Sequence, residues 1–166
     1  RLHGQLDGDG GSRRSKIDQR EPVWIHPGDA ASRGIEDGVV VRVFNDRGAC
    51  LAGAKLSDSV RAGVIVMHTG ATFDPAEPGR IGSLDRHGNA NMLTLDAGTS
   101  RLSQGTSAQT ALVEVEKWRN AVPEVGAFDP PARTRPRPGS GRSRRSANSS
   151  PGALAGRTGA RAGPPQ

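Results

Sequence analysis

Residues 38–56 carry the strongest local signal for β structure in the sequence. A β-branched run, VVVRVF at 39–44, is followed by the turn NDRG at 45–48 and a second run at 49–56. Two such runs separated by a short turn with glycine last are typical of a β-hairpin. We expect Gly48 to supply the positive φ on which a turn of this kind ends.

Further short runs extend this pattern on both sides of the hairpin. Apolar or alternating segments at 23–25, 64–67 and 111–117 are typical of strands, with the last one closing the folded region near Trp118. Pro27 begins a brief helix, which Gly34 can end in a left-handed conformation. The pattern indicates a mainly-β barrel or sandwich with short helices.

The first 21 residues give a weaker prediction. Residues 1–6 (RLHGQL) alternate polar and apolar side chains, so an extended segment would place Arg1, His3 and Gln5 on one face. Residues 7–21 are polar and rich in glycine, which is typical of a mobile surface loop.

The C-terminal tail differs in composition from the rest of the chain. Residues 130–166 hold eight arginines, no acidic residue and a single large apolar side chain, Leu154. The remaining residues carry 15 basic and 17 acidic side chains, so the high pI belongs to the tail alone. Such a segment cannot bury enough apolar surface to offset the entropy of ordering. We therefore predict a folded domain at 1–128 and a disordered tail at 129–166.

Several classes of site are absent from the sequence pattern. Cys50 is the only cysteine and the four histidines show no metal-ligand spacing, which argues against a zinc site. The sequence contains no phosphate-binding glycine loop and no G-x-S-x-G motif. No stretch is long and apolar enough for a membrane span, and the tail lacks the aromatic residues that stack on nucleic-acid bases. We assign no catalytic residue and no metal ligand to this chain.

Two long polar stretches, at 70–83 and 88–110, remain unexplained by the strands and turns. Loops of this length are uncommon in compact domains unless they have a function. The second stretch is dense in uncharged hydrogen-bonding side chains, which suits a polar, planar or phosphorylated ligand. By pattern alone it could equally be a flexible loop.

Motifs spread over most of the chain carry a family resemblance. They are RLHGQL at 1–6, PVWIHP at 22–27 with residues 29–31 and 33–35, VRVFNDRG at 41–48, LTLD at 93–96 and GTSRLSQGTSAQT at 98–110. Together they resemble the C-terminal domain of molybdopterin oxidoreductases, in the branch of dimethyl sulfoxide, trimethylamine-N-oxide and biotin sulfoxide reductases. We expect the resemblance to run from Arg1 to about Trp118.

The resemblance implies both a fold and a cofactor. It implies a double-psi β-barrel of the aspartate decarboxylase-like type, and binding of molybdopterin guanine dinucleotide as part of a bis-MGD molybdenum centre. The residues that match the family's cofactor contacts are Arg1, His3, Gly4, Gln5, Asn91, Ala108 and Gln109. Guanidinium and imidazole groups suit phosphate or pterin oxygens, and amides both donate and accept at a heterocycle edge.

Two positions depart from the family pattern. Gly4 stands where relatives commonly have serine, which removes a hydroxyl group but keeps the backbone N–H. Thr72 and Phe73 replace a Trp-Tyr pair, which removes aromatic surface from the expected substrate funnel.

The resemblance also implies that this chain is one part of a larger enzyme. In such an enzyme, molybdenum removes an oxygen atom from an S-oxide or N-oxide, and a serine ligand to the metal comes from an upstream domain. We expect the chain alone to be inactive, the remaining domains of the parent enzyme to be its partners, and no nucleic acid or membrane span to be involved. Relatives occur in both the periplasm and the cytoplasm. The alternative is a stand-alone double-psi barrel that binds a ligand without redox activity.

Overall fold

The structure is a computed structural model, and it describes residues 4–105 and 110–130. Five strands form most of its regular structure, accompanied by two short α-helices and two 3₁₀ turns. The strands are β1 Pro22–Ile25, β2 Val40–Phe44, β3 Ala49–Leu56, β4 Ile65–Met67 and β5 Glu114–Lys117; the helices are α1 Gly10–Ser15 and α2 Pro27–Ser32; the 3₁₀ turns are Gly4–Leu6 and Ala90–Leu93. The mainly-β prediction is confirmed.

The strands form one mixed sheet in the order β4-β1-β3-β2-β5. β1 and β3 are parallel, with Pro22 opposite Gly53, and every other pair is antiparallel. A parallel pair needs a crossover connection, which α2 and β2 supply between β1 and β3. This topology is consistent with the double-psi barrel implied by the resemblance.

β3 is the central strand and the main contributor to the core. Six successive residues of β3, from Ala49 to Ala54, are buried, so both faces of this strand are covered. The inner face packs with the alternating buried positions of β2, Val41 and Val43, and with Val23 and Ile25 of β1. A β-carbon at Gly53 would overlap Ile17 of the N-terminal segment, which shows that this segment lies directly against the outer face of β3.

The predicted hairpin is confirmed, but the reason given for Gly48 is wrong. Gly48 does not have a positive φ. A β-carbon built on Gly48 would instead lie 2.7 Å from the backbone oxygen of Met92. Glycine is therefore needed because the tip of the hairpin closely approaches the Ala90–Leu93 turn, which comes from a segment more than 40 residues away in the chain.

The short helix α2 forms as the sequence predicts. Pro27 is in its first turn, and Gly34 has φ of 62°. His26 caps the helix, since its Nδ1 accepts a hydrogen bond from Gly28 N at 3.1 Å. No local sequence pattern indicates this role for the imidazole.

The predictions for the first 21 residues are wrong where the structure describes them. Gly4–Leu6 is a 3₁₀ turn, so Gln5 does not lie on the face of a strand. Residues 7–21 form helix α1, capped by the Asp9 carboxylate, and then a tight turn in which Asp18 and Gln19 have positive φ values. Arg20 and Glu21 are buried, so this segment is an ordered layer over the sheet.

The ordered part of the chain continues beyond Trp118. Trp118 N donates to Val40 O at 3.0 Å, and Trp118 Nε1 donates to Ala121 O at 3.1 Å. Further along, Pro123 O accepts a hydrogen bond from the Arg20 guanidinium, and Gly126 N donates to Asp74 Oδ2 at 2.9 Å. The prediction that the fold closes near Trp118 is therefore wrong. Of the tail predicted at 129–166, residues 131–166 lie outside the described residues, and the domain boundary at 128 stays a prediction.

Among the residues that the structure describes, no helix is both long enough and apolar enough to cross a bilayer.

Candidate functional site

Asp7 connects the N-terminal segment to the loops that contain Thr72 and His87. Its carboxylate is buried, accepts a hydrogen bond from Thr72 N at 2.8 Å and lies 2.7 Å from Lys16 Nζ. His87 Nδ1 lies 3.0 Å from Thr72 O and 3.6 Å from the Asp7 carboxylate. The 3₁₀ turn Gly4–Leu6 is thereby held beside the segment that leads to residue 91.

Asn91 lies in the 3₁₀ turn Ala90–Leu93 with an exposed side chain. It borders a cavity of about 500 Å³. The cavity contains two side-chain amides, a hydroxyl, a carboxylate, an apolar side chain and small residues: Asn91, Gln104, Thr94, Asp96, Leu95, Ala97, Gly98 and Gly105.

The loop on the far side of this cavity is compact because of its glycines. Thr99 N donates to Gly105 O at 2.9 Å, and Gln104 Nε2 donates to Ser100 O at 3.0 Å. A β-carbon at Gly98 would overlap the Gln104 amide, so the glycine leaves the space that this amide occupies. The loop therefore contributes the Gln104 amide and the small residues Gly98 and Gly105 to the lining of the cavity.

The chemistry of this cavity fits a polar heterocycle. Carboxylate oxygens accept from ring N–H groups, while amides both donate and accept along a heterocycle edge. Leu95 is 56% exposed and offers an apolar surface beside these groups. The donors and acceptors present are those that a guanine or pterin ring requires.

The structure describes only part of the expected cofactor-contact set. Gly4, Gln5 and Asn91 are described, and Asp7, Thr72 and His87 link the segments that hold them. Arg1, His3, Ala108 and Gln109 lie outside the described residues. The convergence of the complete set on one ligand stays a prediction.

A network of buried charges stabilises the layer that holds these segments together. Lys16 pairs with Asp7 at 2.7 Å and with Glu21 at 2.9 Å, and the Lys16 side chain is only 1% exposed. Nearby, Arg86 pairs with Asp74 at 2.5 Å. Buried charges are tolerated when they are paired and hydrogen-bonded in this way. Composition alone predicts a mobile loop for the N-terminal part of this network, which is wrong.

Burial and neighbouring charges shift the pKa values of two members of this network. Burial tends to raise the pKa of Asp7, but hydrogen bonds from Lys16 and Thr72 outweigh it and lower that pKa to about 2. Burial, with a smaller contribution from the charge of Lys16, lowers the pKa of His87. His87 Nε2 is buried and has no hydrogen-bond partner among the described residues. The His87 ring packs edge-on against Phe128, with ring centroids 4.9 Å apart. His87 is therefore neutral in the folded protein near pH 7.

We expect the stability of the domain to fall as the pH drops below about 6.5, the ordinary pKa of histidine. The unfolded chain binds a proton at His87 more readily than the folded domain does, so acid favours unfolding, by at most about 1.4 kcal/mol per pH unit. Asp7 adds a further loss only below about pH 4, its unfolded range, because its folded pKa is lowered.

Melting temperatures measured from pH 7.5 to 5 for wild type, His87→Gln and His68→Gln check this expectation. His68 is exposed and serves as the matched control. His87→Gln should flatten the pH dependence of the melting temperature, whereas His68→Gln should retain it. Parallel curves for wild type and His87→Gln would contradict the assignment.

Cys50 is a buried thiol of the central strand β3. Burial, assisted by the nearby negative charge of Asp85, raises the pKa of the Cys50 thiol to about 12, so it stays protonated at neutral pH. Across residues 4–105 and 110–130, no group of three or more His, Cys, Asp or Glu side chains is arranged to hold a metal ion.

Comparison with known proteins identifies the family. Residues 1–112 match the family described as "Molydopterin dinucleotide binding domain". This chain belongs to that family. All of the motifs that carry the resemblance lie within the matched residues.

Curated relatives place the domain within the branch expected from its motifs. It is 49% identical over 131 residues to the dimethyl sulfoxide/trimethylamine N-oxide reductase of Cereibacter sphaeroides, a match that covers 79% of this chain and 16% of the relative. It is 48% identical over 133 residues to the trimethylamine-N-oxide reductase of Salmonella typhi, covering 80% of this chain and 16% of that protein. The chain is thus a molybdopterin dinucleotide-binding domain of this reductase type and spans about a sixth of the relatives' length.

These matches also correct the extent of the resemblance. An alignment of 131 residues cannot end at Trp118, so the similarity includes residues that follow β5. This agrees with the packing of residues 119–129 on the domain. Among solved structures, the acetylene hydratase of Pelobacter acetylenicus has the same fold over 70% of this chain and 16% of its own, with a TM-score of 0.53 and 20% identity.

Proposed function

We propose that the chain is the C-terminal portion of a molybdenum oxidoreductase that reduces S-oxides or N-oxides by oxygen-atom transfer. The observation that carries this proposal is the 49% identity over 131 residues to a dimethyl sulfoxide/trimethylamine N-oxide reductase of which the chain covers only 16%. The cofactor is then molybdopterin guanine dinucleotide, in its bis form with molybdenum. The remaining domains of the parent enzyme are the principal partners.

The role of this domain in the reaction is to bind and orient the cofactor. When bound, the molybdenum cofactor supplies the two-electron chemistry that removes oxygen from the substrate, and the protein supplies position and electrostatics. Asn91 and Gln5 offer neutral amides, and Gly4 offers its backbone N–H. Arg1 and His3 contribute positively charged or neutral N–H donors suited to phosphate, while Ala108 and Gln109 complete the set implied by the family.

The resemblance implies a division of labour within the parent enzyme. In the branch that the motifs resemble, the ligand to molybdenum is a serine from an upstream domain, and we expect the same arrangement here. Phe73 is 50% exposed, so its ring lies at the surface next to Asp74.

We expect the 166-residue chain, expressed alone, to show no reduction of trimethylamine N-oxide or dimethyl sulfoxide with reduced viologen as electron donor. The full open reading frame that contains it, expressed with molybdate, should show this activity and contain molybdenum and guanine nucleotide. An upstream reading frame that encodes no other molybdopterin-binding region would contradict the proposal. Such a result would favour the stand-alone binding module. A start codon next to Arg1 and a soluble product without molybdenum would also support that alternative.

A further inference from the structure

Asp85 is a buried carboxylate that organises the loop before Asn91. Its Oδ1 accepts a hydrogen bond from Asp74 N at 2.8 Å. Its Oδ2 accepts from Gly88 N and Asn89 N, both at 2.7 Å, and from His87 N at 3.2 Å. Asp85 is completely buried, so these four backbone donors replace the solvation of its charge.

The backbone of Asp85 is itself fixed to the central strand. Asp85 N donates to Ala49 O at 3.1 Å, and Asp85 O accepts from Leu51 N at 2.8 Å. These two bonds place Asp85 beside Cys50 of β3 in a parallel bridge. The Asp85 carboxylate is thus attached to the most buried strand of the sheet. Its hydrogen bonds to residues 87–89 fix the position of that loop relative to β3.

Asn89 continues the connection from Asp85 to Asn91. Asn89 N donates to the Asp85 carboxylate, while Asn89 Oδ1 accepts from Asn91 N at 3.0 Å and caps the 3₁₀ turn Ala90–Leu93. Asn89 is half-buried, whereas the Asn91 side chain is exposed at the rim of the cavity. A line of hydrogen bonds therefore runs from β3 to the expected cofactor contact.

We infer that Asp85 and Asn89 are positioning residues for the molybdopterin dinucleotide, because they fix the backbone at Asn91 and so place its side chain at the cavity. Holding a contact in place beforehand removes part of the ordering cost of binding. A neutral amide at position 85 cannot replace the carboxylate, since one of its two ends would turn an NH₂ group toward backbone N–H donors. The inference rests on the proposed function, which takes Asn91 as a contact to the cofactor.

Five variants of the parent enzyme, purified after expression with molybdate, test the inference. They are Asp85→Asn, Asn89→Ala, Asn89→Asp, Asn91→Ala and the control Asp46→Asn, whose carboxylate is 86% exposed on the hairpin turn. The readouts are molybdenum per protein, guanine nucleotide released by acid hydrolysis, and melting temperature. Hydrogen exchange of the amides at residues 88, 89 and 91 is measured on the 166-residue chain.

We expect Asp85→Asn to speed amide exchange at Gly88 and Asn89 by at least ~10-fold, equivalent to about 1.4 kcal/mol, and to remove more than half of the bound nucleotide. Asn89→Ala should also lower nucleotide content, and Asn89→Asp should restore it because a carboxylate oxygen again accepts from Asn91 N. Asp46→Asn should match wild type in every readout.

Three outcomes would overturn the inference, and they separate it from the proposed function. Wild-type nucleotide content in Asn91→Ala would remove the assumed contact and count against the proposed function as well. Depletion in Asn91→Ala with full content in both Asp85→Asn and Asn89→Ala would overturn the inference alone. If Asp85→Asn does not fold, the comparison of Asn89→Ala with Asn89→Asp decides, and equal nucleotide content in these two would contradict the positioning role.

Discussion

Gly88→Ala is expected to destabilise the domain by roughly 3–4 kcal/mol, since it combines backbone strain with a steric clash. Gly88 has φ of 93°, a conformation that side chains with a β-carbon rarely adopt. An added β-carbon would also lie 2.8 Å from Glu21 Cβ and 3.3 Å from Leu51 O. Neither neighbour can move easily, because Leu51 belongs to β3 and Glu21 N is bonded to His87 O at 3.0 Å.

Gly82→Ala provides the matched control for this substitution. Gly82 also has a positive φ, of 74°, but a β-carbon there would have no neighbour within 4 Å. We expect Gly82→Ala to cost only about 1–2 kcal/mol from strain. Urea unfolding of both variants measures the difference, and equal losses of stability would show that the close approach of residue 88 to Glu21 does not exist in solution.

The consequences of Gly88→Ala should extend to the cavity. Gly88 N is one of the donors to Asp85, so a displaced residue 88 would disturb the loop that leads to Asn91. Amide exchange at residues 89 and 91 should therefore increase even in molecules that remain folded.

Local sequence patterns were sufficient to predict the elements whose stability is local. The β2–β3 hairpin, α2 and the left-handed Gly34 each depend on residues within a few positions of one another, and all three were predicted. Gly48 shows the limit of this approach. Its place in the turn was predictable, but the reason for glycine is the backbone of Met92, which no local pattern indicates.

The N-terminal layer was mispredicted because its stability comes from distant partners. Residues 7–21 are polar, and a polar composition favours the prediction of a loop. In the structure, however, Asp7 pairs with Lys16 and accepts a hydrogen bond from Thr72, which is 65 positions away. Such pairing offsets the cost of removing these charges from water. The pairing cannot be recognised from the sequence. The charge pattern was visible, but the partners were not.

Composition indicated the polar stretch 88–110 in which the cavity lies, but only the family resemblance indicated which of its residues contact the cofactor. Asn91 was identified by its motif, whereas the residues that hold it, Asp85 and Asn89, were not singled out. One local signal did exist: an aspartate followed closely by glycine and asparagine is typical of side-chain-to-backbone turns. This signal indicates a compact loop but not its attachment to β3.

Removal of residues 119–166 is expected to destabilise the domain by about 3–5 kcal/mol, because it takes partners away from buried charged groups. Arg20 is 2% exposed and would lose its bond to Pro123 O, and Asp74, also buried, would lose the bond from Gly126 N. Phe128, which lies 4.2 Å from the Arg13 guanidinium and meets the His87 ring edge-on, would be removed as well. The melting temperature should fall by about 10 °C or more.

A second truncation, of residues 131–166 only, separates the packed segment from the basic tail. We expect it to leave the melting temperature unchanged, since all of the contacts just described involve residues up to 128. It should also abolish any salt-sensitive association with DNA, because it removes eight arginines. Equal melting temperatures for the two truncations would mean that residues 119–130 do not stabilise the domain. DNA affinity that survives removal of the tail would show that the DNA-binding surface lies elsewhere in the domain. The same two truncated proteins thus test both the stabilising role of residues 119–130 and the DNA affinity of the tail.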